Sequence, residues 1–432
     1  MNNVPPGYKQ TEVGVIPEDW EVKRLKQISP RQSVGLVINP STYFDKAGTV
    51  PLLVGSNVSE NSIDSTTANR ITKSSNEILS ASRLAAGDLV TVRVGEPGVT
   101  AVVPLELDGC NCASMMIVRK HSSFDSQWLC CEMNSRHGRG QVEHVQYGTA
   151  QKQFNISDAV DFCYPVPPLP EKRAIATALS DVDALLGALD RLIAKKRDLK
   201  QAAMQQLLTG QTRLPGFHGE WEVKQLEQSC ELITKGTTPT SIGRDFTEGG
   251  VNFLKAESIS ESGEPLVDKV AFIDAATNIL LKRSQLKEGD LLISIAGVLG
   301  RVGRVSKEIL PANTNQALAL IRLANASELE RDFLFYCLRS PMTTKQISDV
   351  NVQAAQANIS LQNVRDLEIR VPPTKTEQTA IAAVLTEMDA ELAALEQRRE
   401  KTRALKQGMM QELLTGRIRL VEPRRTARGA AC

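Results

Sequence analysis

Residues 173–214 read RAIATALSDVDALLGALDRLIAKKRDLKQAAMQQLLTGQTRL, and residues 379–420 read TAIAAVLTEMDAELAALEQRREKTRALKQGMMQELLTGRIRL. The two stretches align without a gap, with Ile175 opposite Ile381, and roughly half of their positions are identical. A copy of this length indicates an internal duplication. The protein therefore holds two versions of one structural unit.

Each stretch has the pattern of a long helix with defined ends. Prolines precede the two copies at Pro168 and Pro372, and Gly210 and Gly416 follow them where a left-handed cap residue would lie. Between these ends the apolar residues recur at intervals of four and three, the heptad pattern of a helix that packs on another helix. The positions predicted to form this coiled-coil seam are Ile175, Leu179, Val182, Leu186, Leu189, Ile193, Ile381, Leu385, Met388, Leu392 and Leu395. The two helices would most simply pack on each other; the alternative is that each covers the globular segment beside it.

The segments between the helices are also repeated, although they have diverged. Trp20-Glu-Val-Lys-Arg-Leu25 returns as Trp221-Glu-Val-Lys-Gln-Leu226. Gly87-Asp88 and Gly289-Asp290 each precede an apolar, strand-like run, which predicts a hairpin turn that leads into a buried strand. The middle of each segment shares little with its counterpart, which favours one common role for the helices and two distinct targets for the globular parts.

The chain is thus predicted to be an α+β protein in which two tandem globular domains alternate with two long helices. We place the globular domains at residues 1–166 and 214–371, and the helical regions at 167–213 and 372–421. A basic tail at residues 422–432 is expected to be disordered.

Composition narrows the class of protein. With 41% hydrophobic residues and a net charge of +1 the chain is an ordinary soluble protein, and it has neither an apolar run of 18 residues nor an N-terminal signal. A cytoplasmic location is expected. The eight cysteines and four histidines lack the spacing of a zinc site, so free thiols and no metal are predicted. Both globular segments are slightly acidic, whereas a non-specific nucleic-acid binder should contain a basic domain.

Motifs for catalysis are missing from the sequence. It contains neither a GxxxxGK[ST] nucleotide-binding run nor an N/D-P-P-[YF] methyltransferase signature. We therefore expect a chain that is not an enzyme and binds no cofactor of its own.

The order of these elements resembles the specificity subunit of type I restriction–modification enzymes. The matching motifs are PLPEKR at Pro168, PPTKTEQ at Pro372, and LLTG at Leu207–Gly210 and Leu413–Gly416. The resemblance implies two target recognition domains, each of which reads one half of a split, asymmetric double-stranded DNA site. It also implies an antiparallel, pseudo-two-fold pair of helices that sets the spacing between the half-sites.

The partners follow from the same resemblance. Two methyltransferase (modification) subunits would dock on the helical regions, and restriction/translocase subunits would join them in a bacterial or archaeal host-defence complex. S-adenosylmethionine, ATP and Mg²⁺ would be bound by those partner subunits. A non-DNA-binding helical adaptor that links two partner proteins is the alternative.

Candidate DNA contacts follow from the side chains that bind bases and phosphates, namely Arg, Lys, Asn, Gln and hydroxyl groups. In the first domain they are Arg93, Arg136, Arg139, Gly148, Thr149, Gln151 and Lys152. In the second they are Lys235, Thr237, Thr238, Arg244, Gln353 and Gln356.

Overall fold

The computed structural model describes residues 4–149, 151–351 and 358–422, and these fall into two compact units. The first unit is built from residues up to Asp190 and from Arg398 onward, and the second from Arg191–Gln397. Each unit therefore contains one globular segment together with part of both long helices. The domain boundaries inferred from the sequence stay predictions, and the tail from residue 423 lies outside the described residues.

The strands of the first unit are short. They are β1 Tyr8–Thr11, β2 Gly14–Pro17, β3 Glu21–Arg24, β4 Gln32–Val34, β5 Val50–Leu53, β6 Val58–Ser59, β7 Ser62–Ile63, β8 Asn69–Ile71, β9 Leu89–Thr91, β10 Thr100–Val102, β11 Asn111–Cys112, β12 Met116–Val118 and β13 Cys163–Val166. Its helices are α1 Leu25–Ile28, α2 Lys73–Ile78, α3 Ser126–Asn134, α4 Arg136–Val145, α5 Ile156–Ala159 and the first part of α6 Leu169–Leu207.

Two sheets organise this unit. An antiparallel sheet has the order β10-β9-β12-β4, and a mixed sheet has the order β11-β5-β8, with β11 and β5 parallel. Strand β3 pairs with β13, and β1 and β2 form a hairpin. Strands β9 and β12 are buried throughout, so they form the centre of the core.

The second unit repeats this plan. Its strands are β14 Glu222–Gln225, β15 Cys230–Lys235, β16 Val251–Leu254, β17 Ala271–Ile273, β18 Leu291–Ser294, β19 Val302–Arg304, β20 Ala312–Thr314, β21 Leu318–Leu323 and β22 Glu368–Val371. Its helices are α7 Ala275–Leu280, α8 Arg331–Leu338, α9 Pro341–Asn351, α10 Leu361–Arg365 and the first part of α11 Lys375–Leu413. The sheet orders β19-β18-β21-β15 and β20-β16-β17 match those of the first unit. The predicted α+β class with two repeated globular parts is confirmed.

The repeated Gly-Asp step has a structural role. Asp88 is buried, and its Oδ2 lies 2.7 Å from Nη1 of Arg119, just beyond the next central strand. Asp290 forms the equivalent pair with Arg322 at 2.6 Å. The hairpin prediction was wrong in one respect. The turn that joins β9 to β10 lies at Gly95–Gly98, because β9 pairs with the strand that follows it rather than with one before Gly87.

The ends of the long helices belong to the globular cores. Ile175 and Leu179, near the start of α6, lie in the core of the first unit together with Leu413 and Leu414. In the second unit the repeat-related Ile381 and Leu385 lie in the core with Met204, Leu207 and Leu208. These four predicted seam positions therefore cover the neighbouring domain, which was the alternative reading of the heptad pattern.

The middle parts of the helices pack on each other in antiparallel directions. Leu189, Ile193 and Leu392 are buried, whereas Val182, Leu186, Met388 and Leu395 are half-buried. In the first unit Lys406 pairs with Asp183, and Arg399 with Asp190 at 3.3 Å. In the second, Lys196 pairs with Glu391 at 2.6 Å, and Lys200 with Asp389. The residue numbers of the partners fall along α11 as they rise along α6, so the predicted antiparallel pairing is confirmed.

The motifs at the ends of the helices form two matching ion pairs. Glu171 is buried and accepts hydrogen bonds from Arg419 at 2.6 and 2.7 Å and from Trp20 Nε1 at 3.0 Å. Its counterpart Glu377 accepts two bonds from Arg213 at 2.6 and 2.7 Å. In each unit the acid at the start of one helix thus holds the arginine that follows the other.

Candidate nucleic-acid interface

One edge of the sheets gathers the loops that carry most of the predicted contacts. In the first unit β4 and β9 both run antiparallel to β12, so they end at the same edge. Strands β5 and β11 are parallel and also end together. Leu36, which follows β4, forms a bridge with Ala113, which follows β11, and this joins the two edges.

The loops enclose a cleft of 260 Å³, which we call the sheet-edge cleft. Its lining residues are Pro40, Val54, Gly55, Ser56, Val92, Arg93, Val94, Ala113, Ser114, Met115 and Gln151. The structure thus brings together Arg93 and Gln151, two of the predicted contacts that lie far apart in the sequence. Arg93 is half-buried, and its Nε donates to the backbone oxygen of Phe154 at 3.3 Å.

The loop after α4 presents the other predicted residues of this group. Thr149, Gln151 and Lys152 are exposed. Gly148 has a φ of +97°, and a Cβ there would lie 2.3 Å from the backbone oxygen of Gln151, so the tight turn requires glycine. Tyr147 steadies the loop because its hydroxyl donates to Asn155 Oδ1 at 2.9 Å.

Arg136 and Arg139 do not line this cleft. They lie in the first turn of α4, and Arg136 borders a different and larger cavity near the end of α11. Nη1 of Arg139 is buried and finds no hydrogen-bond partner in the part of the chain that the structure describes. Helix α4 therefore places these two arginines away from Arg93 and the sheet-edge cleft.

The second unit places its candidates at the equivalent edge. Lys235 ends β15, and Thr237 and Thr238 follow it. Thr238 Oγ1 donates to Oε1 of Gln316, which follows β20. Arg244 is exposed beyond this loop. Gln353 and Gln356 fall within residues 352–357, outside the described residues.

A close backbone approach fixes this loop in both units. A Cβ on Gly236 would lie 1.7 Å from the backbone oxygen of Thr314, and a Cβ on Gly35 would lie 2.7 Å from that of Cys112. The strand after which each loop begins thus packs directly against the end of a neighbouring strand. Glycine at these repeat-related positions lets the loops reach the edge.

Several polar residues at this edge of the second unit were missed in the sequence. Lys255 follows β16 and lies 4.7 Å from the ring centre of Phe246, while Nη2 of Arg283 donates to the backbone oxygen of Lys235 at 3.3 Å. Gln316 is the third such residue. Lys255 and Gln316 occupy the positions of the cleft residues Val54 and Ser114, but only the strand order shows that these positions share an edge.

The two edges share a framework and differ in side chains. The position of Arg93 is taken by buried Ile295 in the second unit, and that of Val54 by Lys255. Each edge offers amide, hydroxyl and cationic donors, the groups that bind base edges and phosphates. The two edges are therefore suited to different sequences of hydrogen-bonding groups.

Reactive groups are scarce in the described residues. No group of three or more His, Cys, Asp or Glu there could hold a metal ion. The seven described cysteines are free thiols, and burial raises the pKa of Cys110, Cys131 and Cys230 to about 12. Thiols with such a pKa remain protonated and are poor nucleophiles.

Comparison with known proteins agrees with this architecture. Residues 218–404 match the family described as type I restriction modification DNA specificity domain. A Methanocaldococcus jannaschii protein described as the type I restriction enzyme MjaX specificity subunit is 26% identical over 432 residues, covering 96% of this chain and 97% of that one. The MjaVIII specificity subunit of the same organism is 23% identical and covers 94% of both chains.

The chain is similar to the specificity subunits of type I restriction–modification systems. Two solved structures share the fold of this chain. The S subunit of a type I system from M. genitalium superimposes with a TM-score of 0.59 at 14% identity, covering 91% of this chain and 96% of that one. A chain from a study of complex assembly and conformational transition of the type I R-M system gives 0.56 at 19% identity, covering 93% and 99%.

The alignments span nearly the whole length of this chain and of both relatives. In the residues that the structure describes, no helix is both long and apolar enough to cross a membrane.

Proposed function

We propose that this chain is the DNA-reading subunit of a type I restriction–modification complex and that each globular unit reads one half of a split double-stranded site. The observation that carries the proposal is the pair of matching sheet edges with unlike side chains. Arg93 in one unit corresponds to Ile295 in the other, and Val54 to Lys255. Two readers with one framework and different donors suit an asymmetric site.

The paired helices supply the spacer in this proposal. Helices α6 and α11 contain 39 residues each, which corresponds to about 58 Å at about 1.5 Å per residue. Duplex DNA presents equivalent groove faces about 34 Å apart. A stiff helix pair can fix the separation of two readers, which a flexible linker would not do.

The same helices also offer a surface for partner subunits. Leu192 and Leu199 of α6, seven residues apart, are 38% and 47% exposed, and the spacing continues at Leu185. Exposed leucines at heptad spacing suit a partner helix. We assign this face to a methyltransferase subunit. The restriction/translocase subunits would join the same complex, and S-adenosylmethionine, ATP and Mg²⁺ would bind to the partner subunits.

The basic residues of the two helices contribute less to the docking surface than the exposed leucines do. Lys196, Arg197 and Lys200 pair with Glu391, Glu396 and Asp389. Arg399 and Arg403 pair with Glu400. Because these cations are already partnered within the helix pair, the docking proposal rests on the leucines.

Replacement of one globular unit tests the central proposal. The first unit's globular segment is exchanged for that of another specificity subunit, the modification complex is assembled, and the methylated sites are sequenced. One half of the site should change while the other half is retained. A change in both halves would rule out independent reading. If the complex protected no segment of a duplex that carries the site, the alternative of a helical adaptor that does not bind DNA would be favoured.

A further inference from the structure

The first unit contains a second cavity that shares no lining residue with the sheet-edge cleft. It measures 1030 Å³ and lies between the β1–β2 hairpin, the helices α3 and α4, and the end of α11. We call it the hairpin cavity. Its wall includes Ile16 from the hairpin, Glu132 from α3, Phe162, and Met410 from α11. No strand pair equivalent to β1–β2 occurs among the described residues of the second unit, so this wall belongs to the first unit.

Glu132 is the unusual member of this wall. Its side chain is 1% exposed, and Oε1 is enclosed without a hydrogen-bond partner among the described residues. Burial raises the pKa of this carboxyl well above its ordinary value. An enclosed carboxyl without a hydrogen-bond partner in the protein is costly to stability, because burial removes much of the hydration of its charged form and no protein group replaces it.

The internal repeat shows that the fold does not require this carboxyl. The residue equivalent to Glu132 is Cys337 in α8, which is also buried. The two positions share a backbone hydrogen bond. The backbone amide of Ser135 donates to the backbone oxygen of Glu132 at 3.1 Å, and that of Ser340 donates to the backbone oxygen of Cys337 at 3.0 Å. A small, weakly polar side chain therefore satisfies the packing at this site.

We propose that the hairpin cavity binds a lysine or arginine side chain of a partner polypeptide, with the cation on the Glu132 carboxylate. The methylene stem of that side chain would lie along Ile16, Phe162 and Met410. A cation restores the missing partner of the carboxylate, and apolar walls suit its stem. This site goes beyond the proposed function, since neither DNA reading nor docking on the α6 leucines uses Glu132.

The rim of the cavity defines the partner further. A volume of 1030 Å³ exceeds the space of one side chain, and Gln407 and Gln411 offer amide groups to a peptide backbone. Arg136 is exposed on the same rim, whereas Arg417 pairs with Glu412 at 3.4 Å. Arg136 would repel a polybasic segment, so the partner carries a single cation among neutral or acidic residues.

Peptide binding to the full chain tests the site. The probes are acetyl-Ala-Arg-Ala-amide and its neutral match acetyl-Ala-Gln-Ala-amide, measured by titration calorimetry. We expect the arginine peptide to bind more tightly, and E132Q to weaken it by about tenfold or more, as loss of a charge-assisted bond does. The matched control is E60Q, which removes an exposed carboxyl from the same cavity and should change affinity less than about twofold.

A second measurement separates a binding role from a structural one. E132C installs the residue that the repeat uses, and it should raise the melting temperature of the free protein by about 2–4 °C while abolishing the preference for arginine. Equal binding of the two peptides, or a lower melting temperature of E132C, would overturn the proposal. So would tighter arginine binding after removal of residues 423–432, because the chain's own arginine-containing tail would then be the occupant.

Discussion

Lys200 of α6 forms an ion pair with Asp389 of α11, and both side chains are largely buried in the second unit. Asp389 also accepts a hydrogen bond from the Tyr336 hydroxyl at 2.9 Å, and Nη1 of Arg339 lies 3.7 Å from it. Burial lowers the pKa of Lys200, and the contact with Asp389 opposes that shift. This pair ties the helix seam to α8 as well as to the opposite helix.

The repeat-related pair in the first unit should respond differently to a charge swap. Asp183 and Lys406 pair there, while Cys131 and Asn134 occupy the positions of Tyr336 and Arg339. We expect D183K alone to cost about 2 kcal/mol of unfolding free energy, because it places two cations together in a partly buried seam. The double variant D183K/K406D should recover most of that loss. Urea denaturation measures both values.

The same charge swap in the second unit is compared with the swap in the first unit. K200D/D389K should recover less of the unfolding free energy. The new lysine at position 389 would face the cation of Arg339, and it could not accept the hydrogen bond that the Tyr336 hydroxyl donates to Asp389. The more exposed pair of Lys196 and Glu391 provides the control, and K196Q should cost less than about 1 kcal/mol. Equal recovery in both units would show that the surroundings of the pair do not matter.

Substitutions at the two sheet edges should alter different halves of the DNA site. R93A removes a cation of the first edge that has no equivalent in the second, and K255A does the reverse. If each side chain contacts a base, each variant should lose about 1–3 kcal/mol of binding to its own half-site. Sequencing of methylated sites from the assembled complex would show which half relaxes.

The exposed loop residue Lys152 provides the contrast. A phosphate contact from this side chain carries no sequence information, so K152A should weaken binding uniformly and lower the salt slope by about one. Loss of preference in both halves after R93A alone would contradict separate reading.

Substitution of Gly236 even by alanine should lower the stability of the second unit. A Cβ at this position would lie 1.7 Å from the backbone oxygen of Thr314, so G236A must displace the loop or the strand. We expect a loss of about 2 kcal/mol or more in the second unit. The control is G249A, where a Cβ meets nothing within 4 Å, and it should stay within about 0.5 kcal/mol of the unmodified protein. A cooperative melt followed by circular dichroism distinguishes the two.

Lengthening both helices together should change the spacing of the site. Seven residues inserted after Ile193, with seven more inserted after Gln397, keep the heptad pattern and leave the ion pairs on either side intact, including Arg197 with Glu396 and Asp190 with Arg399. Each insertion adds about 10.5 Å of helix. The preferred spacer should then grow by about three base pairs while the recognised bases stay the same. Insertion into α6 alone should instead lower stability, and altered bases would argue against a spacer role.

The sequence predicted the paired helices well because their period and repetition are independent signals. It did not show that Ile175 and Ile381 serve the globular cores, since a spacing of four and three looks the same whichever surface it meets. Lys200 and Lys406 are buried cations in the helix pair beyond the predicted seam positions. Their acidic partners become evident only when the register between the helices is known.

The candidate site was predictable only in part, for a related reason. Arg93 and Gln151 were both chosen for their chemistry, and the fold brings them to one cleft although 57 residues separate them. Lys255 and Gln316 were missed because a polar residue after a strand is common, and only strand order shows which of these share an edge. Glu132 was missed because burial of a carboxyl inside a short helix is not visible in the sequence.

Each long helix carries both members of the repeated ion pair, with Asp183 and Lys200 on α6 and Asp389 and Lys406 on α11. The helix is therefore complementary to itself. Two identical copies aligned head to tail satisfy both pairs, so a polypeptide of half this length already holds the chemistry of the assembly. If each unit reads one half-site, a homodimer of such a polypeptide would read a palindrome, and fusion of two copies into one gene would allow the two units to diverge in the bases that they recognise.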